Sequence, residues 1–379
     1  LKLFRAYKYK LYPTKTQYAW LEKNLEDQRI LYNAALEERI SAYNHGVFLS
    51  LREQKNHLTQ WRKDDIEARN TLRRIQTWTL CKLDSAYKSF VSHRQAGNKL
   101  SRRPRFRSKD RWSSFGIENG DYVYFNFEGS SLKTLTMPGK LRFNKHRELP
   151  VGNKINNIIF KKYSKGWQVV IGFSYEIGLR LNLFPEVGVD LGLTNIVTLS
   201  DGIKIPNPRV LNKHLKKLKS KQRLVSRAKK GSNNRKKKIK ELQKVYIKIV
   251  NTRNTFSHAV SRYLVNNYSL VAFEDLKVSK MNDRRFTRSN RDASWTSIRN
   301  QVRYKVQDTG GEYIEVEARG TTKECSCCGV LTSKEIWNRV HNCSHCGLIL
   351  DRDVNAAINV LSRAAASPGV FNLDCRDAA

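Results

Sequence analysis

Acidic side chains are scarce in this sequence. Only 34 Asp and Glu stand against 71 Lys and Arg over 379 residues, a net charge of +37. A one-sided surplus of that size repels itself and opposes compaction unless a polyanion neutralises it. Nucleic acid meets that need, because each phosphate paired with Lys or Arg releases counterions. Long apolar runs are also lacking: nothing approaches the ~18–20 residues of a membrane span, and the opening LKLFRAYKYKLYP has no apolar signal-peptide core. No membrane partner and an intracellular, cytoplasmic location are therefore expected. There is no Walker loop, no GxGxxG after a strand pattern and no nucleophile elbow, so NTP-driven and acyl chemistry have no support. Leu1 is not an initiator residue, and the native start is expected to be missing or altered.

The apolar share is 40% and the aromatic share 10%, enough for folded cores. At roughly 100–200 residues per domain, the length suggests two to four of them. Residues 3–12 alternate, with Tyr7, Tyr9 and Leu11 opposite Lys8 and Lys10, as in a strand. Thr14 is the expected N-cap of a helix whose stripe is Leu21, Leu25, Tyr32, Leu36, Ile40 and Tyr43. A second helix is expected over about 69–91, on Leu72, Ile75, Thr79, Leu83, Tyr87 and Phe90. Strand patterns return at 121–127, 154–160 and 167–175. The opening strand is expected to join them, which makes the helical unit an insertion into a β domain.

From residue 187 the pattern becomes strand, Asp201-Gly202 turn, strand. Residues 204–248 then hold 18 Lys or Arg and one acid, Glu241. The second half of this run is expected to be helical, burying Ile239, Leu242, Tyr246, Ile249, Phe256, Val260 and Tyr263. A strand at 269–275, a helix at 292–308, a strand at 312–318 and a closing helix in DRDVNAAINVLSRA follow. A charge run is usually a solvated helix face, but 18 bases beside one acid leave no internal partners. A phosphate backbone is the better account, here and in the loop carrying Arg102, Arg103, Arg105, Arg107, Lys109 and Arg111. Phe106 and Trp112 in that loop suit either base stacking or core packing.

Two apolar strand patterns end in acids, GVDLG at Asp190 and VAFEDL at Glu274. A turn aspartate explains either one alone; in a chain this short of acids, the pair suggests a site. A third acid lies in DRDVNAA, where either Asp351 or Asp353 could simply cap the last helix. Three converging carboxylates would suit Mg²⁺ or Mn²⁺, and two such ions ~3.5–4 Å apart support phosphodiester hydrolysis. Cysteine gives the strongest local signal. Of seven, four fall in matched CxxCG units, Cys325/Cys328 and Cys343/Cys346, fourteen residues apart, as in a structural four-thiolate Zn²⁺ site. Cys327 blurs the first register. His341 and His345 are possible substitute ligands, better read as surface residues.

In order along the chain, RAYKYKLYPTKTQ, YNAALEERI, RPRFRSKDRW, GVDLGLTN, VAFEDL, CSCCG, CSHCG and DRDVNAAINVL resemble the TnpB family of transposon-encoded RNA-guided nucleases, relatives of type V CRISPR effectors. The resemblance covers nearly the whole chain. It implies a multidomain α+β protein: a β-barrel wedge domain (1–13 and 97–184), an inserted helical recognition domain (14–96), an RNase H-like RuvC nuclease domain (185–320 and 347–379), and a zinc ribbon within it (321–346). It implies that Asp190, Glu274 and Asp353 hold two Mg²⁺ or Mn²⁺ ions, Asp353 being taken because DVNAA fits the family's third motif. It further implies a guide RNA from the transposon end, target double-stranded DNA cut beside a short adjacent motif, and a separate transposase acting alongside. The location would be prokaryotic cytoplasm, with the nucleoid when on DNA. Lys8, Lys10, Arg102, Arg103, Arg105, Arg107, Lys109, Lys216, Lys217, Arg235, Lys236 and Lys237 are the expected nucleic-acid contacts. The rivals are an RNA-guided repressor that does not cut, a transposase with a carboxylate triad on the same fold, and a non-catalytic zinc-ribbon RNA binder.

Overall fold

In a computed structural model of the chain, the described residues are 1–98, 100–118, 123–126, 128–178, 183–276, 292–333 and 338–366. The expected strand at 121–127 lies partly outside them, as does the end of the nuclease part at 367–379 with Cys375. The chain divides into two compact units, Leu1–Ile177 and Gly178–Ala379.

The first unit is built on β1 (Lys2–Tyr12), β2 (Ser114–Glu118), β3 (Val123–Asn126), β4 (Ser131–Thr134), β5 (Leu141–Phe143), β6 (Lys154–Tyr163) and β7 (Gly166–Glu176). They form one curled, half-barrel sheet in the order β2-β6-β7-β1-β5-β4-β3. The opening strand lies inside it. β1 pairs antiparallel with β7 from Lys2↔Glu176 to Lys10↔Gln168, then with β5 at Leu11↔Phe143. Alternation decides the faces: Tyr9 and Leu11 are buried while Lys8 and Lys10 face water, and Trp167, Val169, Ile171, Phe173 and Tyr175 all point inward.

Between β1 and β2 the chain makes three helices, α1 (Lys15–Asn44), α2 (Leu51–Asp64) and α3 (Arg73–Gln95). Thr14 starts α1 with a capping box, accepting from the Gln17 N–H while its own N–H donates to Gln17 Oε1 at 3.0 Å. The 14-residue α2 has no counterpart in the apolar pattern, since it buries only Gln54 and Leu58; Ser50 and Glu53 form its capping box. Helices and sheet share one core, with Leu21, Tyr32, Leu36, Ile75 and Leu83 packed among Phe115, Phe160, Trp167 and Phe173. Trp112 belongs to that core, whereas Phe106 is exposed.

The second unit holds β8 (Glu186–Asp190), β9 (Asn195–Leu199), β10 (Lys204–Pro206), β11 (Leu270–Glu274) and β12 (Glu312–Val316), in the order β10-β9-β8-β11-β12. The first three form an antiparallel meander, and β11 runs parallel to both β8 and β12. This order is that of RNase H-like sheets. One face is covered by α5 (Asn233–Asn267) and α6 (Trp295–Thr309), through Val260, Leu264, Trp295, Ile298 and Val302 on Val187, Val189, Val271 and Phe273. The other face carries α7 (Arg352–Ala365), with Val360, Leu361 and Ala364 on Leu270 and Ala272. Strands β13 (Val340–Asn342) and β14 (Ile349–Asp351) form a small hairpin beside the cysteines.

Two sequence expectations are corrected in the basic run. Its first half is helical as well, as α4 (Val210–Arg227), which buries only Val210 and Leu218 and so shows little apolar signal. In α5 the buried face is Val245, Ile249, Ser257, Val260, Ser261, Leu264 and Val265, while Tyr246 and Tyr263 are exposed. Ile249 and Val260 are buried as expected and Leu242 and Phe256 pack partly against the cores, but the small polar Ser257 and Ser261 take inward positions that the aromatic count misses. No described helix is long and apolar enough to cross a membrane.

Candidate active site

Asp190 and Glu274 come together through strand register. On the neighbouring parallel strands β8 and β11, Ala272 pairs with Gly188 and Phe273 with Val189. Asp190 and Glu274 are the next positions, both at the carboxyl ends, where parallel sheets place their ligand crevices. Side chains two apart share a face, so Asp190 lies with Gly188 and Glu274 with Ala272, all on the side covered by α7.

Gly188 determines how closely α7 approaches. A Cβ there would lie 2.0 Å from the Ala357 carbonyl oxygen and 2.7 Å from the Leu361 nitrogen, so only glycine admits the helix backbone. Asp353 is one turn before Ala357 on the same helix face. Four helical residues span ~6 Å and two strand residues ~6.6 Å, which sets Asp353 over Asp190 when Ala357 sits over Gly188. Asp351 plays a different part. It is the N-cap of α7, accepting from the N–H groups of Asp353 at 3.0 Å and Val354 at 3.2 Å, and it pairs with Lys204 at 2.7 Å.

All three carboxylates are buried, Asp190 to 9% exposure, Glu274 to 6% and Asp353 to 9%. Burial, then the charges of Glu274 and Asp353, push Asp190 well above the ordinary carboxylate range, against the opposing pull of Arg352. Glu274 is also raised by burial, partly offset by the Thr321 hydroxyl, which donates to its Oε1 at 2.5 Å. Asp353 accepts from Arg339 Nη1 at 3.1 Å and Arg352 Nη2 at 3.1 Å. Crowded buried carboxylates beside guanidinium groups form a cation-seeking, hard-oxygen environment, and that donor set fits Mg²⁺ or Mn²⁺.

Among the described residues, the cysteines form the tighter metal group. The ligand atoms of Cys325, Cys328, Cys343 and Cys346 all lie within 4.8 Å of one another, whereas the carboxylates are not so gathered. Sulfur separations of 3.6 Å for Cys325–Cys346 and for Cys328–Cys343 match the ~3.8 Å edge of a tetrahedron with 2.3 Å metal–sulfur bonds. The two knuckles repeat one backbone pattern. Gly329 N–H donates to Cys325 O and Gly347 N–H to Cys343 O, each at 2.9 Å, with both glycines at positive φ. Backbone N–H groups of Cys346 and His345 lower the Cys343 thiol, whereas burial and hydrogen bonds from the facing thiols raise that of Cys328, so the four sulfurs act as one coupled group. Cys327 is exposed and outside the group, which settles the register at 325/328. His345 is exposed; His341, expected at the surface, is instead buried, because it faces inward from β13.

Three residues that sequence reasoning missed tie the ribbon to the carboxylates. Asn355 Nδ2 donates to Glu324 O at 2.8 Å, and its Oδ1 accepts from Ser326 N–H at 3.0 Å. Asn359 Nδ2 donates to the Thr321 and Glu324 carbonyls, both at 2.8 Å. The stem of the ribbon is thereby clamped to α7, and Thr321 on that stem meets Glu274. Buried asparagines four apart in VNAAIN were the available signal. Replacing Cys343 with Ser should accordingly lose the bound zinc and loosen this clamp, while Cys327→Ser changes neither. Metal content and limited proteolysis around 320–350 check it; a zinc-free Cys343→Ser protein as protease-resistant as the wild type would refute the structural role.

Of the basic residues singled out from sequence, Lys8, Lys10, Arg102, Arg103, Arg105, Arg107, Lys109, Lys216, Lys217, Lys236 and Lys237 are exposed. Arg235 is half-buried and closes the end of α4, donating to Val225 O at 2.7 Å and Ala228 O at 3.0 Å.

Comparison with known proteins decides the family. A putative RNA-guided DNA endonuclease of Streptomyces pristinaespiralis is 31% identical over 378 residues, covering 96% of this chain and 90% of that protein. The chain belongs to the TnpB family of transposon-encoded, RuvC-like nucleases. The Escherichia coli K12 putative RNA-guided DNA endonuclease InsQ is 29% identical, over 96% of this chain and 92% of its own. Family models described as "probable transposase" and "Cas12f1-like, TNB domain" match residues 185–285 and 295–360 of this TnpB-family chain. A third, described as a helix-turn-helix domain, matches residues 4–46, which fold here as β1 followed by the single helix α1. The fold is also that of Cas12f1 in its complex with single-guide RNA and target DNA, at a TM-score of 0.58 and 14% identity over 92% of this chain and 83% of that one.

Proposed function

We propose that this protein is an RNA-guided DNA endonuclease that cuts double-stranded DNA beside a short target-adjacent motif. The observation that carries the reading is that Asp190 and Glu274, at the ends of neighbouring strands, lie buried on the face covered by α7, which carries the buried Asp353. Mg²⁺ or Mn²⁺ held by these three would supply an activated water and charge neutralisation at the leaving oxygen. The chain's own contribution is positional. β8 and β11 fix two carboxylates by register, α7 fixes the third, and Thr321 orients Glu274. Arg339, more than half exposed, stands at the mouth of the site, where a phosphate could take over its contact with Asp353.

The two named relatives are described as putative RNA-guided DNA endonucleases, which supports guide RNA and target DNA as the partners here. A guide supplies the sequence reading by base pairing, so the protein needs only to grip backbone, as an exposed basic surface does. In this reading the half-barrel acts as the wedge (1–13 and 97–184), the helices 14–96 as the recognition domain, residues 185–320 and 347–379 as the nuclease, and 321–346 as its zinc ribbon. Lys8, Lys10, the 102–109 loop, and Lys216, Lys217, Lys236 and Lys237 contact nucleic acid, Arg235 serving mainly to hold α4.

The test begins with sequencing the RNA that co-purifies from cells carrying the gene with its flanks. A single structured RNA ending in a variable segment is expected, and its variable segment should direct Mg²⁺-dependent cutting of a matched plasmid, stopped by EDTA. A smear of cellular RNA would count against guidance. Binding without cutting would indicate a repressor, and strand-transfer products a transposase.

A further inference from the structure

On the helical side of the first unit, a cavity of about 310 Å³ opens between the end of α1, the turn into α2 and the second half of α3. Its lining includes Tyr43, Phe48, Tyr87 and Phe90, together with the buried Arg39 and the exposed Arg103. Two of its rings stand open to water: Phe48 is 82% exposed and Tyr43 58%. Two open ring faces beside one cavity offer a stacking surface that the fold itself leaves unused. The Arg103 guanidinium lies 4.7 Å from the Tyr43 ring centroid and that of Arg39 5.1 Å from Tyr87. Arg39 is held there by Gln54 and Asp84, so the ring beneath it is fixed.

We propose that this cavity receives one unpaired nucleobase of a single-stranded or locally opened nucleic acid, stacked against Phe48 and Tyr43, with its phosphates on Arg103 and the adjoining arginines. Charge selects this occupant over an apolar helix of a protein partner. No acid lines the cavity; of its arginines, Arg39 is already paired with Asp84, while Arg103 is exposed and Arg102, Arg105 and Arg107 add exposed positive charge along the same loop. A base in a duplex has both faces covered, so a ring platform is useful only to one that has left its stack. The volume falls within the range of small-molecule pockets. The inference rests on the nucleic-acid partners proposed above, yet it is separable from cleavage, because no residue of the pocket is part of the carboxylate site.

The test uses the full chain, washed free of RNA, with single strands carrying one 2-aminopurine, in an RNA arm and a DNA arm. Quenching of the probe on binding is expected in at least one arm, and that arm identifies the source of the base. Phe48→Ala should abolish the quenching and weaken binding about 5- to 100-fold, while Phe48→Trp retains both. Arg103→Ala should weaken binding and lower the salt slope by about one. Tyr124→Ala, an exposed ring outside both the pocket and the basic loop, should change nothing. The proposal is overturned if the wild type shows no quenching in either arm, or if Phe48→Ala quenches and binds like the wild type. Guided cutting that fails while the Phe48 pattern holds would remove the endonuclease reading and leave the pocket. Intact cutting with indifference to Phe48 would do the reverse.

Discussion

Asp190→Ala is expected to abolish DNA cleavage while leaving RNA binding within about twofold of the wild type. The carboxylate lies at the end of β8, buried, on the face that α7 covers, and the exposed basic residues proposed to hold RNA lie elsewhere in the sequence. Charge stabilisation at a metal-assisted centre is worth several kcal/mol, so loss of a ligand should slow cutting by about 10³-fold or more. Retained cutting would remove Asp190 from the site. The isosteric Asp190→Asn adds an independent readout. Asp190 titrates well above its ordinary value because it is buried with Glu274 and Asp353. For an acid raised in the fold, the unfolded chain gives up its proton first as pH rises, so the fold loses stability from the ordinary carboxylate value upward. In EDTA at neutral pH, Asp190→Asn should therefore melt higher than the wild type, with the gain shrinking as pH falls toward 4. An inactive but less stable variant at pH 7 would mean that the three charges do not act on one another.

Much of this architecture was legible because alternation is a strong signal. The Tyr9/Leu11 face of the first strand, the Trp167–Tyr175 strand and the acids closing two apolar strands all follow from period-two patterning. The matched CxxCG units picked out the four thiols that the fold gathers for a similar reason: the spacing is itself the geometry. What escaped were elements whose stability does not come from an apolar stripe. α2 and α4 bury two residues each and rest on capping, on Arg235 at the end of α4, and on partners distant in sequence. On α5 only Tyr246 and Tyr263 depart from the expected face, because serines fill inward positions in their stead. The least legible layer was the one that assembles the site. Asn355, Asn359 and Thr321 make polar contacts across 29 to 47 residues of sequence, which no local pattern encodes.

Gly188→Ala should be the most damaging single methyl added to this protein. The residue sits within β8, two positions before Asp190, facing the backbone of α7. Its new Cβ would meet the Ala357 carbonyl oxygen at 2.0 Å and the Leu361 nitrogen at 2.7 Å, neither of which can swing aside as a side-chain end could. The helix must move as a body. Overpacking of a core costs about 1–3 kcal/mol and more where backbone is displaced, so a loss near the top of that range is expected. Cleavage should fall further than stability, because α7 carries Asp353 and a displacement of ~1 Å at a reacting group costs about 100-fold. The same movement would pull Asn355 and Asn359 from the ribbon stem and, through Thr321, disturb Glu274. Gly178→Ala, where an added Cβ meets nothing within 4 Å, is the matched control and should melt and cut like the wild type. Thermal melts and plasmid cleavage at a permissive temperature decide it. A Gly188→Ala protein with wild-type cutting would mean that α7 does not press on β8, and that Asp353 is brought to Asp190 by some other contact.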